Sequence, residues 1–165
     1  MKWFEQVQTE ATEYPVDLAE MRHELMIVDT ASDTQIRSHM LAARKLIENA
    51  TGQTINERVI YAFANKFPSE TCFKVNYVPV SAVTAIEYIA DGGSTYSTFS
   101  SSNYLTHSRD GLRWIVELAE GQSWPSIEDR LDAVRLNLTV GYGSTSDVPE
   151  NIKQAIKVLV KYWMH

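Results

Sequence analysis

The amino-acid sequence predicts an α+β fold: an N-terminal helical hairpin, a central antiparallel β sheet or small barrel, and a C-terminal amphipathic helix. Three observations predict it: apolar residues recur at helical spacing before Gly52, alternate in the middle of the chain, and return to helical spacing after Pro149. A chain of 165 residues can bury one core without disulfides. We therefore expect a single domain over residues 1–165, made of a helical pair (14–52), a strand-rich insertion (54–142) and a C-terminal helix (149–164).

The first two helices carry start and stop signals. Asp17 is the predicted N-cap of the first helix, with Glu20 as its capping-box partner, and this helix ends near Ile27. The second helix begins at Ser32 or Asp33 and stops at Gly52. Its apolar positions follow one helical face: Ile36, Met40, Ala43, Leu46, Ile47 and Ala50. Because few residues join the two helices, we expect a hairpin with a shared apolar seam.

The middle of the chain alternates with a period of two, which is typical of strands. Strands are predicted over residues 58–64, 72–78, 112–118 and 134–142, and Asp91-Gly92-Gly93 marks a hairpin turn. The last of these strands is the clearest, since Val134, Leu136 and Leu138 point to one side. The Ser-rich stretch "STYSTFSSSNY" is either a mobile hairpin tip or an edge strand.

Pro149 opens the C-terminal helix at a position where its missing N–H costs nothing. The predicted apolar stripe consists of Ile152, Ala155, Ile156, Leu159, Val160 and Trp163. Lys153, Lys157 and Lys161 are spaced four apart and are expected on another face.

Charge and cysteine content exclude several classes of protein. The net charge of −6 lies before Thr34, where two basic residues meet eight acidic ones. A protein that grips duplex DNA needs a basic stripe instead, so we interpret this acidic start as a solvated helical arm. The single cysteine, Cys72, excludes an internal disulfide and fits a reducing, cytosolic origin. The sequence contains neither a membrane-spanning run nor the apolar core of a secretion signal.

No catalytic, cofactor or metal site is predicted. The histidines, for which we expect surface or interface roles, are His23, His39, His107 and His165. "HSRDG" contains a Ser, a His and an Asp but fits a β-turn better than a hydrolytic site. The glycines of "GYGSTSD" lack the spacing of a nucleotide fingerprint, and "SIEDRLD" lacks that of a calcium loop.

Several large aromatic residues lie where a lone domain has little core to cover them, which favours interface anchors. They are Trp3, Phe4, Trp114, Trp124, Tyr162 and Trp163. The alternative for Trp163 is that it caps the core from the final helix.

Five segments together resemble one family along nearly the whole chain. They are "YPVDLAEMRHELMI", "SDTQIRSHMLAARKLIENATGQTI", "VPVSAVTAIEYIADGG", "WP" and "VRLNLTVGYGSTSDVPENIKQAIKVLVKYW". This order resembles the phage head–tail connector proteins (head completion proteins, or portal adaptors), in the form with a strand-rich insertion between the helices.

The resemblance implies a structural virion protein of the neck, made in the host cytoplasm. Its partners would be copies of itself in a twelvefold ring, the portal protein, and a tail or tail-terminator (stopper) protein, with DNA passing through the lumen without sequence-specific binding and no membrane contact. The C-terminal helix would face the portal through Lys157, Lys161, Tyr162, Trp163 and His165. The Ser-rich hairpin near Phe99 would face the tail or a neighbour, and Trp124 is a further interface candidate.

The sequence leaves two alternative functions open. One is a DNA-packaging accessory protein that binds duplex DNA directly, which the charge distribution disfavours. The other is a small hydrolase that uses His107 and Asp110.

Overall fold

The computed structural model describes residues 3–108 and 110–164, and it confirms the α+β class. The described chain forms two compact units. The strand-rich unit contains residues 3–10 and Arg58–Val140, and the helical unit contains Ala11–Glu57 and residues 141–164. That the two units behave as a single domain stays a prediction.

The strand-rich unit consists of two antiparallel sheets. Its strands are β1 (Phe4–Thr9), β2 (Arg58–Ala64), β3 (Cys72–Val75), β4 (Val80–Ile89), β5 (Tyr96–Phe99), β6 (Tyr104–Ser108), β7 (Trp114–Leu118) and β8 (Val134–Val140). The larger sheet has the order β1-β2-β8-β4-β5, and the smaller has the order β3-β7-β6. Of the predicted alternatives, sheet or small barrel, the chain therefore adopts sheets.

The two sheets share one apolar core. In the central strand β8, Val134, Leu136 and Leu138 are fully buried, which confirms the predicted alternation. The smaller sheet contributes Phe73 and Val116 to the same cluster. Burying each such side chain contributes about 1.5–3 kcal/mol, so the shared core holds the two sheets together.

One expectation about the strands is corrected, and one open alternative is decided. The helical arm expected over the acidic start is wrong for its first part, because Phe4–Thr9 is an edge strand that pairs with β2 through Phe4 opposite Phe63, whereas Leu18–Glu24 in the same stretch is helical. The Ser-rich stretch resolves to β5, the other edge strand of the larger sheet, ending at the buried Phe99.

The helical unit contains α1 (Leu18–Glu24), α2 (Asp33–Thr51) and α3 (Glu150–Met164). Asp17 caps α1 as predicted, since its carboxylate accepts hydrogen bonds from the N–H groups of Ala19 (2.7 Å) and Glu20 (3.3 Å). Gly52 ends α2 in the left-handed region, at φ +69°. These caps explain why α1 begins and α2 ends where the sequence predicted. The predicted end of the first helix near Ile27 is wrong, because α1 ends at Glu24 and Leu25 is its C-cap.

One core cluster joins the three helices, and it includes Met21, Met40 and Val160. The apolar faces predicted for α2 and α3 included residues that are not buried: Leu46 and Ala50 of α2 and Ala155 of α3 are exposed. Within the described residues, no helix combines the length and apolar character needed to cross a bilayer.

Candidate functional site

The outer side of α3 exposes two apolar residues, Val158 and Tyr162, which are 65% and 78% exposed. They are four residues apart and therefore lie on the same side of the helix. Trp163, by contrast, is half-buried: it packs on the helical core and its ring centroid lies 5.9 Å from that of His39. The alternative in which Trp163 caps the core therefore matches this geometry, and Tyr162 is the more exposed of the two aromatic residues of α3.

Lys157, expected on an exposed face, is buried, with 8% of its side chain accessible. Its ammonium donates a hydrogen bond to Glu20 and lies 3.7 Å from Glu150. The hydrogen bond to Glu20 raises the pKa of Lys157 against the opposing effect of burial. This cation is therefore already paired within the helical unit.

A second ion pair follows one helical turn later, where Lys161 Nζ lies 3.2 Å from Glu24 Oε1. Glu20 and Glu24 are four apart on α1, as Lys157 and Lys161 are on α3, so the two pairs repeat with the helical turn. The Glu20 side chain thus pairs with Lys157 of α3 and does not form the predicted capping box with Asp17. His165, the remaining candidate on this helix, lies outside the described residues.

Phe99 and Trp124 belong to an aromatic cluster inside the strand-rich unit. Phe99 is buried and stacks on Tyr104, with ring centroids 5.9 Å apart. Trp124 stacks on Phe67 at 4.8 Å, and its indole N–H donates to the Glu70 carbonyl oxygen (2.9 Å). Both rings, which were predicted to face a partner, are therefore in contact with residues of their own unit. The interface role of Phe99 and Trp124 stays a prediction, and this geometry does not favour it.

The residues of the hydrolase alternative are engaged in other contacts. His107 Nε2 lies 3.6 Å from Glu117 Oε2 across β6 and β7. Asp110 Oδ1 accepts hydrogen bonds from the N–H groups of Arg113 (2.7 Å) and Leu112 (3.0 Å), which lower the pKa of Asp110. Asp110 thus shapes the turn before β7, as the β-turn interpretation predicted. Residues 3–108 and 110–164 contain no cluster of three potential metal ligands.

Two surface features were not predicted from the sequence. On the larger sheet, the Arg135 guanidinium lies between the rings of Tyr61 (4.4 Å) and Tyr96 (4.0 Å). On the helical unit, the loop after α1 exposes Met26 and Val28, at 88% and 94%. The apolar run "LMIV" was the available signal for this loop, but helical periodicity assigned it to the end of the first helix.

Comparison with solved structures shows the same fold in particles of a gene transfer agent (GTA). A chain in the neck of an empty GTA particle, computed with C6 symmetry, has a TM-score of 0.80 and 22% identity over 98% of this chain and 83% of that one. A chain in the neck of a native GTA particle, computed with C12 symmetry, has a TM-score of 0.75 and 23% identity over 99% and 83%. A chain of the native GTA virion has a TM-score of 0.75 and 20% identity over 98% and 84%.

No curated protein matches the chain. The family model described as "Head completion protein" matches residues 16–165, which include all three helices and every strand except β1. This match confirms the resemblance that the opening helices and the C-terminal segment indicated. The chain belongs to the head completion protein family.

Proposed function

We propose that this protein is a structural subunit of the virion neck, where copies form a ring that joins the portal to the tail and extends the DNA channel. The observation that carries the proposal is the head completion family match over residues 16–165. The fold supports it, because similar chains occur in GTA necks computed with C6 and C12 symmetry. We infer a homo-oligomeric ring, with twelvefold symmetry as the expected form.

The exposed side of α3 is the proposed portal contact. Val158 and Tyr162 supply an apolar surface, and Lys161 lies beside them at its edge. Lys157 has a different role in this proposal: paired with Glu20, it holds α3 against α1 and so fixes the direction of the exposed face. Because the two lysines are already paired, portal binding is expected to depend mainly on apolar burial and only weakly on salt.

The DNA in this proposal passes through the ring without being gripped. The charge distribution supports that role, since the acidic excess would repel phosphates and not hold them. The proposed function also involves no chemical reaction, which is consistent with the structural contacts of His107 and Asp110.

Electron microscopy of the purified protein, alone and mixed with portal, tests the proposal. We expect closed rings in at least one of the two samples, and particles that are monomeric in both would overturn it. Retention on duplex DNA at physiological ionic strength would favour the DNA-packaging alternative instead.

The portal contact is tested with the double variant Val158→Ser/Tyr162→Ala and the matched control Leu131→Ser, which alters an exposed leucine of the strand-rich unit. We expect the double variant to stay folded and to lose portal binding, and the control to bind portal normally. If the wild type forms rings without portal, the double variant should form them too. Equal binding by both variants would show that α3 does not face the portal. Repeating the binding over a roughly tenfold range of ionic strength tests the predicted weak salt dependence.

A further inference from the structure

The loop after α1 exposes an apolar segment with a fixed backbone, which we call the knob and define as Met26–Val28. Its backbone is held by hydrogen bonds from Met26 N–H to the His23 carbonyl oxygen (3.1 Å) and from Ile27 N–H to the Arg22 carbonyl oxygen (3.0 Å). Met26 has φ +58°, a conformation that a bulky residue seldom adopts. These two hydrogen bonds and the left-handed residue are the usual way for a helix to end, and here they leave Met26 and Val28 in solvent. Two exposed apolar side chains this close together in the chain are typical of a surface that a partner covers.

An acidic residue follows the knob directly. Asp29 is exposed, and its Oδ1 accepts a hydrogen bond from the Ala31 N–H (2.9 Å), which fixes the carboxylate next to Val28. The knob thus presents an apolar tip followed by a negative charge. Any surface that receives it should be concave and apolar, with a positive rim.

The strand-rich unit contains a cavity of this description, with a volume of about 380 Å³, beside β3 and β7. Its apolar wall includes Val75, Val78 and Ile115, and its exposed rim includes Lys74 and Arg113. We call this cavity the receiving pocket.

Two contacts at the receiving pocket affect what it can bind. The Trp114 indole N–H donates to the Val80 carbonyl oxygen (2.7 Å), so this ring contributes a wall without an unpaired polar atom. Asp110 is also on the rim, with its Oδ2 3.9 Å from Arg113 Nη1. Its Oδ1, however, already accepts hydrogen bonds from the N–H groups of Leu112 and Arg113. With Lys74 and Arg113 against Asp110, the rim keeps a net positive charge.

We propose that the knob of one copy docks in the receiving pocket of the next copy around the ring; this inference rests on the proposed function. A cyclic assembly larger than a dimer uses head-to-tail contacts, which require two different and complementary patches on the same chain. The knob and the receiving pocket are such a pair: an exposed apolar segment matches an apolar cavity, and the charge of Asp29 matches those of Lys74 and Arg113. The occupant is thus a second copy of this chain, because the chain itself carries both halves of the contact.

Cysteine cross-linking tests the proposed contact in assembled protein. In a Cys72→Ser background, which removes the exposed native thiol, Val28→Cys and Lys74→Cys are introduced together. A short thiol-specific cross-linker should then give a ladder of oligomers, whereas an equal mixture of the two single-cysteine chains should stop at dimers. Val28→Cys with Leu131→Cys is the matched control and should give no ladder.

A charge exchange gives an independent readout. Asp29→Arg should weaken self-association about tenfold or more, by placing like charges together, and adding Arg113→Asp should restore most of it. Circular dichroism checks that each variant is folded. Size is measured by light scattering or mass photometry in the absence of portal and again in its presence.

The outcomes separate this inference from the proposed function. Wild-type rings without a Val28–Lys74 ladder would overturn the knob contact and leave the ring intact. A ladder of equal strength in the Leu131 control would also overturn it, since the cross-links would not be specific. Wild-type protein that never assembles, even with portal, would overturn both.

Discussion

Replacing Phe99 by alanine distinguishes a core role from an interface role for this residue. Phe99 is only 6% exposed. Its ring centroid lies 5.7–6.3 Å from those of four aromatic neighbours, which are Phe67, Tyr88, Tyr104 and Trp124. It lies at the end of β5, opposite Ile86 of β4. Removing the ring would therefore open a cavity at the place where the edge strand is attached to the core.

The expected cost of Phe99→Ala is about 3–5 kcal/mol in the free energy of unfolding, the range for truncating a buried phenylalanine. For a chain of this size, each 1 kcal/mol lowers the melting temperature by about 2–4 °C, so a decrease of roughly 6–20 °C is expected. The loss of four aromatic contacts favours the upper half of both ranges.

Urea unfolding followed by circular dichroism, together with thermal melting, measures the effect. Val158→Ala is the control: this side chain is exposed, and its truncation should change the free energy of unfolding by no more than about 0.5 kcal/mol. If Phe99→Ala costs less than about 1 kcal/mol and yet loses partner binding, the core assignment is wrong and Phe99 is an interface residue after all.

Three further predictions concern stability. Glu20→Gln leaves the Lys157 ammonium without its main partner and should lower the free energy of unfolding by about 1–2 kcal/mol, between the values for exposed and fully buried pairs. Urea unfolding of a double-mutant cycle with Lys157→Met measures the coupling between the two side chains. Burial raises the pKa of Tyr77 to about 12, so the folded state holds this proton more tightly and stability should fall as the pH rises from 10 to 12. Tyr77→Phe should flatten that decline in urea titrations at each pH, and an unchanged slope would contradict the assignment. Gly141→Ala should destabilise the protein strongly, because a φ of +100° is strained for other residues and the added Cβ would meet the backbone of Asn56. Gly52→Ala has open space around the added Cβ and should cost only about 1 kcal/mol. An equal loss of melting temperature in both variants would refute the steric argument.

The helices and strands that were predicted well are those determined by residues close together in the sequence. β2 has the predicted bounds of Arg58–Ala64, and α2 ends at Gly52 because a left-handed residue is needed there. β8 shows the alternation expected of a strand with one buried face. In each case a few neighbouring residues decide the structure, so no knowledge of distant contacts is required.

The elements that were missed depend on distant residues. β1 is short and polar, and it is a strand because it pairs with β2, whose residues lie fifty or more positions away from their partners. The pairing includes the stacked rings of Phe4 and Phe63, with centroids 5.6 Å apart. The sequence grouped Tyr61 and Phe63 on one side of β2 but could not say that the opposite side, with Ile60 and Ala62, faces the core. Local propensity is a weak guide where cross-strand pairing supplies the stabilisation.

The candidate site shows the same limit most clearly at two adjacent residues of α3. Lys157 is buried and Val158 is exposed, the reverse of what hydropathy predicts for a solitary amphipathic helix. The cause is tertiary, since α1 presents Glu20 to Lys157 and so compensates the burial of its charge. A helix that buries a cation and exposes an aliphatic residue one turn before Tyr162 keeps an apolar face that a second protein can complete. Such a contact is little affected by salt and gains no long-range steering, which suits a permanent junction better than a transient encounter.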